Sequence, residues 1–160
     1  MKILFVCLGN ICRSPTAEGV MRHLVRAEGL EDRIEMDSAG TGGWHVGHSP
    51  DERASSAALR RDILLEGAAR RFEPEDFERF DLILAMDAEN RRELLRQAPD
   101  EEAAAKVRLL REFDPASDGA GDLDVPDPYY GGEQGFEHVL DLVDAATRGL
   151  LDELRTQGRV

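Results

Sequence analysis

Short strand-like runs alternate along this chain with stretches of helical periodicity. Residues 2–6 are almost wholly apolar, with β-branched and aromatic side chains, the pattern of a parallel strand covered on both faces. Residues 16–27 place Ala17, Val20, Met21, Leu24 and Val25 at helical spacing, and Gly29 marks the end of that helix. A second, weaker strand is predicted over 34–38. The segment 39–49 holds Gly40, Gly42, Gly43 and Gly47 and reads as a loop, after which Ser49-Pro50-Asp51-Glu52 forms a capping box opening a helix to about Arg61. Residues 62–71 fit neither period. Pro74-Glu75-Asp76-Phe77 suggests one helical turn, 82–86 a third buried strand, and 87–97 a helix capped by Asp87 with Leu94 and Leu95 inward. Ala103 to Ala105 extend a further turn. Residues 106–110 alternate apolar and basic side chains, as a strand nearer the sheet edge does. Residues 111–132 form a loop rich in Asp, Pro and Gly, and loops of that length inside a small domain are functional or disordered. An amphipathic helix over 133–155 closes the chain with Phe136, Val139, Leu140, Val143, Leu150, Leu151 and Leu154 on one face.

This order predicts an α/β fold: a four-stranded parallel sheet with right-handed crossovers and helices on both faces, in a single domain over 1–160. Ligands of such sheets bind beyond the carboxyl ends of the strands. Cys7 follows the first strand, Ser38 ends the second, Asp87 follows the third, and Asp127-Pro128-Tyr129-Tyr130 lies in the loop after the fourth. Topology therefore gathers on one rim residues far apart in sequence.

Composition narrows the function. With 160 residues, 41% hydrophobic and 33% charged, the chain can bury the core of one domain. Its formal net charge of -13 argues against nucleic acid and anionic membranes as partners, and no apolar run approaches the roughly 20 residues needed to span a bilayer. The two cysteines stand five positions apart, and Met1-Lys2 leads directly into the first strand without a signal-like stretch. A reducing, cytoplasmic location is expected rather than a disulfide scaffold.

The chemistry is concentrated between the first strand and the first helix, in Cys7-Leu8-Gly9-Asn10-Ile11-Cys12-Arg13-Ser14-Pro15. A loop over Leu8, Gly9, Asn10, Ile11, Cys12 and Arg13 can curl its backbone N–H groups inward, Ser14-Pro15 supplies an N-cap and first helical residue, and the helix adds its positive end. Such a site favours a dianion such as phosphate. A helix N-terminus and a guanidinium also favour the thiolate of Cys7, which needs no separate base to act as nucleophile. Arg13 can bind two phosphoryl oxygens with its planar fork, as a lysine cannot. The bland alternative, a buried structural Cys beside an unrelated surface Arg, would win for a bare Cys-x5-Arg match. The strand before, Gly9-Asn10 within and Ser14-Pro15 after favour phosphoryl transfer to sulfur.

This stretch closely resembles the phosphate loop of the low-molecular-weight protein tyrosine phosphatases. Ser38-Ala39-Gly40-Thr41, Trp44-His45-Val46-Gly47, the segment from Phe80 to Asp87 and the segment from Asp124 to Gly131 are similar to further blocks of that family, in family order. The resemblance implies a Rossmann-like phosphotyrosine phosphatase I fold, a cysteinyl-phosphate intermediate, no metal or cofactor, and phosphotyrosine protein or peptide and phosphate ion as partners.

It also implies roles for further residues. Expelling the leaving group needs a proton donor opposite the sulfur, and the resemblance places it at Asp127, held between Pro126 and Pro128 in a stiff loop. Asp124 is the runner-up, and Asp114, Asp118 and Asp122 are nearby competitors. By family likeness the Asn10 side chain ties the loop down with help from Ser38, and the Ser14 hydroxyl donates to the thiolate. Asp87 either orients Arg13 or merely caps its helix. Gly67 stands where family members often place a histidine that braces the loop asparagine. Trp44, Tyr129 and Tyr130 are candidate walls for a flat aryl ester. His45 and His48 with the two cysteines make no convincing zinc set. Three other functions fit the same scaffold: arsenate reductase, opposed by the lack of any cysteine after Cys12; protein-arginine phosphatase, distinguished by the residue before the second loop cysteine, which in this chain is Ile11; and a phosphate-binding module without catalysis.

Overall fold

The computed structural model describes residues 1–117, 119, 121–129 and 131–160. The first apolar run is β1 (Lys2–Cys7), followed by α1 (Arg13–Ala27), β2 (Glu35–Gly40), α2 (Glu52–Leu59), α3 (Asp76–Arg79) and β3 (Leu82–Ala85). Then come α4 (Ala88–Gln97), α5 (Glu101–Ala105), β4 (Val107–Leu109), two 3-10 turns at Leu110–Phe113 and Pro115–Ser117, and α6 (Glu133–Thr156). The four strands are all parallel, in the order β2-β1-β3-β4, so β1 runs through the middle of the sheet.

Alternation along β1 assigns its side chains to two cores. Ile3, Phe5 and Cys7 pack with α1 and α6 on one face, while Leu4 and Val6 pack with Phe77, Ile83 and Leu94 on the other. Both faces are apolar because both are covered, which is why the run reads as continuously hydrophobic. Among the described residues no helix is long and apolar enough to cross a membrane.

The structure corrects several boundaries. α1 begins at Arg13 with Cys12 as its N-cap, so Ser14 is inside the first turn and its hydroxyl is released for another partner. The cap of α2 is Asp51 rather than Ser49, because the Asp51 carboxylate accepts from the amides of Arg53 and Ala54. The undecided stretch before α3 runs alongside β2: the Gly40 amide donates to the Arg70 carbonyl and the Phe72 amide to the Gly40 carbonyl, at 2.9 and 2.8 Å. β4 stops at Leu109, where the chain tightens into the first 3-10 turn. That turn nests on α6 at Gly149, where a β-carbon would lie 1.8 Å from the Phe113 carbonyl oxygen.

Candidate active site

Cys7 ends the central strand, and the loop after it folds back over the sulfur. The Asn10 amide points at Cys7 Sγ from 3.2 Å, and Ser14 Oγ lies 3.0 Å from the same atom. Ser14 Oγ accepts from Asn10 Nδ2 at 2.8 Å, which leaves its own proton for the sulfur, the Ala39 carbonyl being a more distant acceptor at 3.5 Å. Two donors therefore converge on the Cys7 sulfur. Asn10 adopts φ +58°, a left-handed conformation that asparagine tolerates better than most residues. The walls of the loop are pinned by backbone bonds: the amides of Thr41, Gly42 and Asp51 donate to the carbonyls of Cys7, Leu8 and Ile11 at 2.9, 2.9 and 2.7 Å. A β-carbon on Gly40 would stand 2.7 Å from the Leu8 carbonyl oxygen, so this close approach requires glycine.

Arg13 enters from the first turn of α1 and is 3% exposed. Its Nη1 donates to Asp87 Oδ2 at 2.5 Å and to the Val125 carbonyl at 3.0 Å, while Nη2 lies 3.5 Å from Asp127 Oδ2. Burial alone would pull the guanidinium down, but the charges of Cys7, Asp87 and Asp127 outweigh it and hold Arg13 above the ordinary arginine range. The same burial, reinforced by Asp51, Cys7 and Asp127, pushes the Cys12 thiol up to about 12. The two loop cysteines thus differ in environment: Cys12 stays protonated at neutral pH, while donors face Cys7.

Above the loop opens a cleft of about 350 Å³ lined by Cys7, Leu8, Gly9, Ile11, Cys12, Arg13, Trp44, His45, Asp127 and Tyr129. Comparison with known proteins bears directly on this arrangement. The family model described as "Low molecular weight phosphotyrosine protein phosphatase" matches residues 2–160. A Streptomyces coelicolor low molecular weight protein-tyrosine-phosphatase is 54% identical over 156 residues, covering 98% of this chain and 94% of that protein. This chain belongs to the low-molecular-weight phosphotyrosine protein phosphatase family. Solved structures superpose on it closely: a protein tyrosine phosphatase from Entamoeba histolytica, crystallised with Hepes in its active site, has a TM-score of 0.93 at 39% identity, covering 100% of this chain and 99% of that one. A Drosophila arginine phosphatase has a TM-score of 0.87 at 32% identity, with 96% and 97% covered.

Within this phosphatase fold the residues expected from the sequence fall as follows. Asp87 meets both alternatives at once, since Oδ2 holds Arg13 and Oδ1 caps α4 by accepting from the Asn90 amide at 2.7 Å. Asp127 lines the cleft with its side chain 44% exposed, and its Oδ1 accepts from the Tyr129 amide at 3.0 Å. The competing carboxylates have other partners: Asp124 accepts from the Ala88 amide, Asp122 from the Asp124 amide and Asp114 from the Ala116 amide. Asp118 and Tyr130 lie outside the described residues. Trp44 is 72% exposed at the rim, its indole lying over Gly42, and the half-buried Tyr129 belongs to the same lining, with its ring near that of His45.

Ser38 departs from expectation. Its hydroxyl donates to the carboxylate of Glu18 at 2.7 Å, because Glu18 lies one turn beyond Ser14 on α1 and its buried charge takes the nearest donors, Ser38 and Arg22. Asn10 is braced from elsewhere: its side-chain oxygen accepts from the Arg70 amide at 3.0 Å. Backbone from the segment that contains Gly67 thus holds the loop asparagine. Sequence reasoning also missed His45, which lines the cleft beside Trp44 and against Tyr129, and Arg53, which donates to the Tyr129 carbonyl at 2.8 Å and stacks on the Tyr129 and Phe136 rings. The fold presses His45 against the loop: a β-carbon on Gly9 would be 2.9 Å from His45 Cδ2, a closeness that nothing in the sequence announces.

Proposed function

We propose that this protein is a tyrosine phosphatase that hydrolyses phosphotyrosine in proteins and peptides, and small aryl phosphates, through a phosphate ester of Cys7. Cys7 Sγ attacks phosphorus, the S–P bond forms and the bond from phosphorus to the aryl oxygen breaks. Asp127 gives its proton to the departing oxygen, then takes one from the water that attacks the cysteinyl phosphate, releasing phosphate and the thiolate. Since Nη1 of Arg13 is committed to Asp87 and Val125, its Nε–Nη2 edge is the fork left for two phosphoryl oxygens. Ser14 stabilises the sulfur as it becomes a leaving group again. The observation that carries this reading is the convergence of the Asn10 amide and the Ser14 hydroxyl on Cys7 in a cleft that also holds Arg13 and Asp127.

Arginine phosphatases share the fold and form the competing reading. Ile11, 8% exposed in the cleft, offers no acceptor to a guanidinium, and Trp44 and Tyr129 offer flat walls to a ring. Leaving a buried donor unpaired costs about 1–3 kcal/mol, a factor of roughly ten in selectivity. A reducing cytoplasm suits a site whose thiol must remain free.

Three peptides of one backbone carrying phosphotyrosine, phosphoserine or phosphoarginine test the proposal. The phosphotyrosine peptide should have the highest kcat/KM, and Cys7→Ser should abolish turnover while still binding phosphate. Preference for phosphoarginine, or substantial turnover by Cys7→Ser, would refute it.

A further inference from the structure

The loop that carries Asp127 is wound around a cation outside the cleft. Arg111, in the 3-10 turn that rests on α6, reaches across the loop and donates from Nη1 to the carbonyls of Asp122 and Asp124, at 3.2 and 2.8 Å, and from Nη2 to Ser117 Oγ at 3.4 Å. Its hydrogen-bond partners among the described residues are all uncharged oxygens. Its Nε is buried without a partner among those residues, an arrangement that opposes stability and calls for another reason to hold the side chain there.

The bonds that follow supply that reason. With its carbonyl held by Arg111, Asp124 turns its carboxylate to the Ala88 amide at the start of α4, 2.9 Å away. The next residue, the fully buried Val125, donates its amide to the Met86 carbonyl at 2.7 Å and accepts from Arg13 at 3.0 Å. Two arginines thus hold successive peptide groups, Arg111 the carbonyl of Asp124 and Arg13 that of Val125. Two residues further on, Asp127 Oδ2 stands 3.5 Å from Arg13 Nη2. The turn that carries Arg111 is packed closely on α6, where Gly149 admits the Phe113 carbonyl.

We propose that Arg111 is a positioning residue for proton transfer: it fixes the path of the chain entering Val125, and through it the place of the Asp127 carboxyl over the cleft. The inference rests on the phosphatase reading and on Asp127 as proton donor. Arg111 bonds neither to the Cys7 loop nor to Arg13, and Arg13 is held by Asp87 as well as by Val125, so anion binding should survive the loss of Arg111.

The test compares wild type, Arg111→Met and Arg111→Lys on para-nitrophenyl phosphate and phenyl phosphate. Nitrophenolate leaves with little protonation, whereas phenolate needs the proton during bond breaking. Arg111→Met should lower kcat/KM for phenyl phosphate roughly tenfold more than for the nitrophenyl ester, with the inhibition constant of inorganic phosphate unchanged. Arg111→Lys, which can still donate to both carbonyls, should recover part of that difference. Hydrogen exchange gives a readout without activity: in both variants the Val125 amide should exchange faster, by roughly tenfold in Arg111→Met, while the Phe5 amide in β1 stays protected. Equal slowing of the two esters, an unchanged leaving-group dependence, or exchange that rises alike at Val125 and Phe5 would each overturn the assignment. Failure of the phosphatase reading is distinct, since wild type would then hydrolyse neither ester.

Discussion

Burying Arg13 would cost several kcal/mol if its charge were unmatched, and two carboxylates and a carbonyl are arranged to match it. The two carboxylates are not equivalent. Asp87 is 18% exposed and engaged through both oxygens, so it serves as a fixed counter-charge. Asp127 is 44% exposed and lies farther from the guanidinium, open both to solvent and to whatever occupies the cleft. Asp127→Asn should therefore reduce kcat/KM for phenyl phosphate by roughly 10²-fold or more while affecting para-nitrophenyl phosphate far less, because general acid catalysis contributes only where the leaving group needs its proton. Steady-state kinetics on both esters checks this, and equal losses would point to collapse of the loop instead.

At the scale of elements, the site depends on how closely β1, the segment beside β2 and α6 approach their neighbours. Two glycines of the same helix separate close approach from mere propensity. At Gly149 a β-carbon would collide with the backbone of Phe113, whereas at Gly135 the nearest atom, Pro128 Cβ, would be 3.5 Å away, an ordinary contact. Gly149→Ala should destabilise the fold by about 1–3 kcal/mol through overpacking. Gly135→Ala should be neutral or stabilising by up to about 1 kcal/mol, because alanine favours the helix. Urea denaturation of the two variants, with the slope of the transition unchanged, reads the opposite signs directly.

For the whole molecule, the formal net charge of -13 opposes the arrival of any anion, and the positive loop around Arg13 has to overcome it locally. Contact inside the cleft is short-range and little screened, but approach is long-range and is screened over about 8–10 Å at physiological salt. Phosphotyrosine peptides with basic flanks should therefore be favoured over acidic ones at low ionic strength. Adding salt should raise kcat/KM for the acidic peptide, lower it for the basic one and narrow their ratio. A ratio independent of salt would show that flanking charge is read only by contact.

What the sequence by itself determined is local in origin. The order of strands and helices follows from hydrophobic period, and the two-faced burial of β1 from an apolar run too short for anything but a covered strand. Cys7 and Arg13 were legible because a strand, a six-residue step and a helix start constrain backbone and charge together within one stretch of chain. Asp127 was legible only as one acid among several, singled out by family likeness and its flanking prolines. Tertiary structure decided which partner each polar group takes. Family likeness paired Ser38 with Asn10, but the packing of α1 on β2 brought it Glu18 instead. Asn10 found the Arg70 amide because the segment after α2 runs beside β2. Asp87 serves Arg13 and α4 together because β1 and β3 are neighbours and their ends share one rim. His45 and Arg111 carried no sequence signal strong enough to single them out, since a histidine in a glycine-rich loop and an arginine in an acidic one are ordinary until the fold brings the cleft and the Asp124 carbonyl to them. A hydrogen bond is satisfied by whichever donor lies within about 3 Å, and over tens of residues that distance is set by packing rather than by order along the chain.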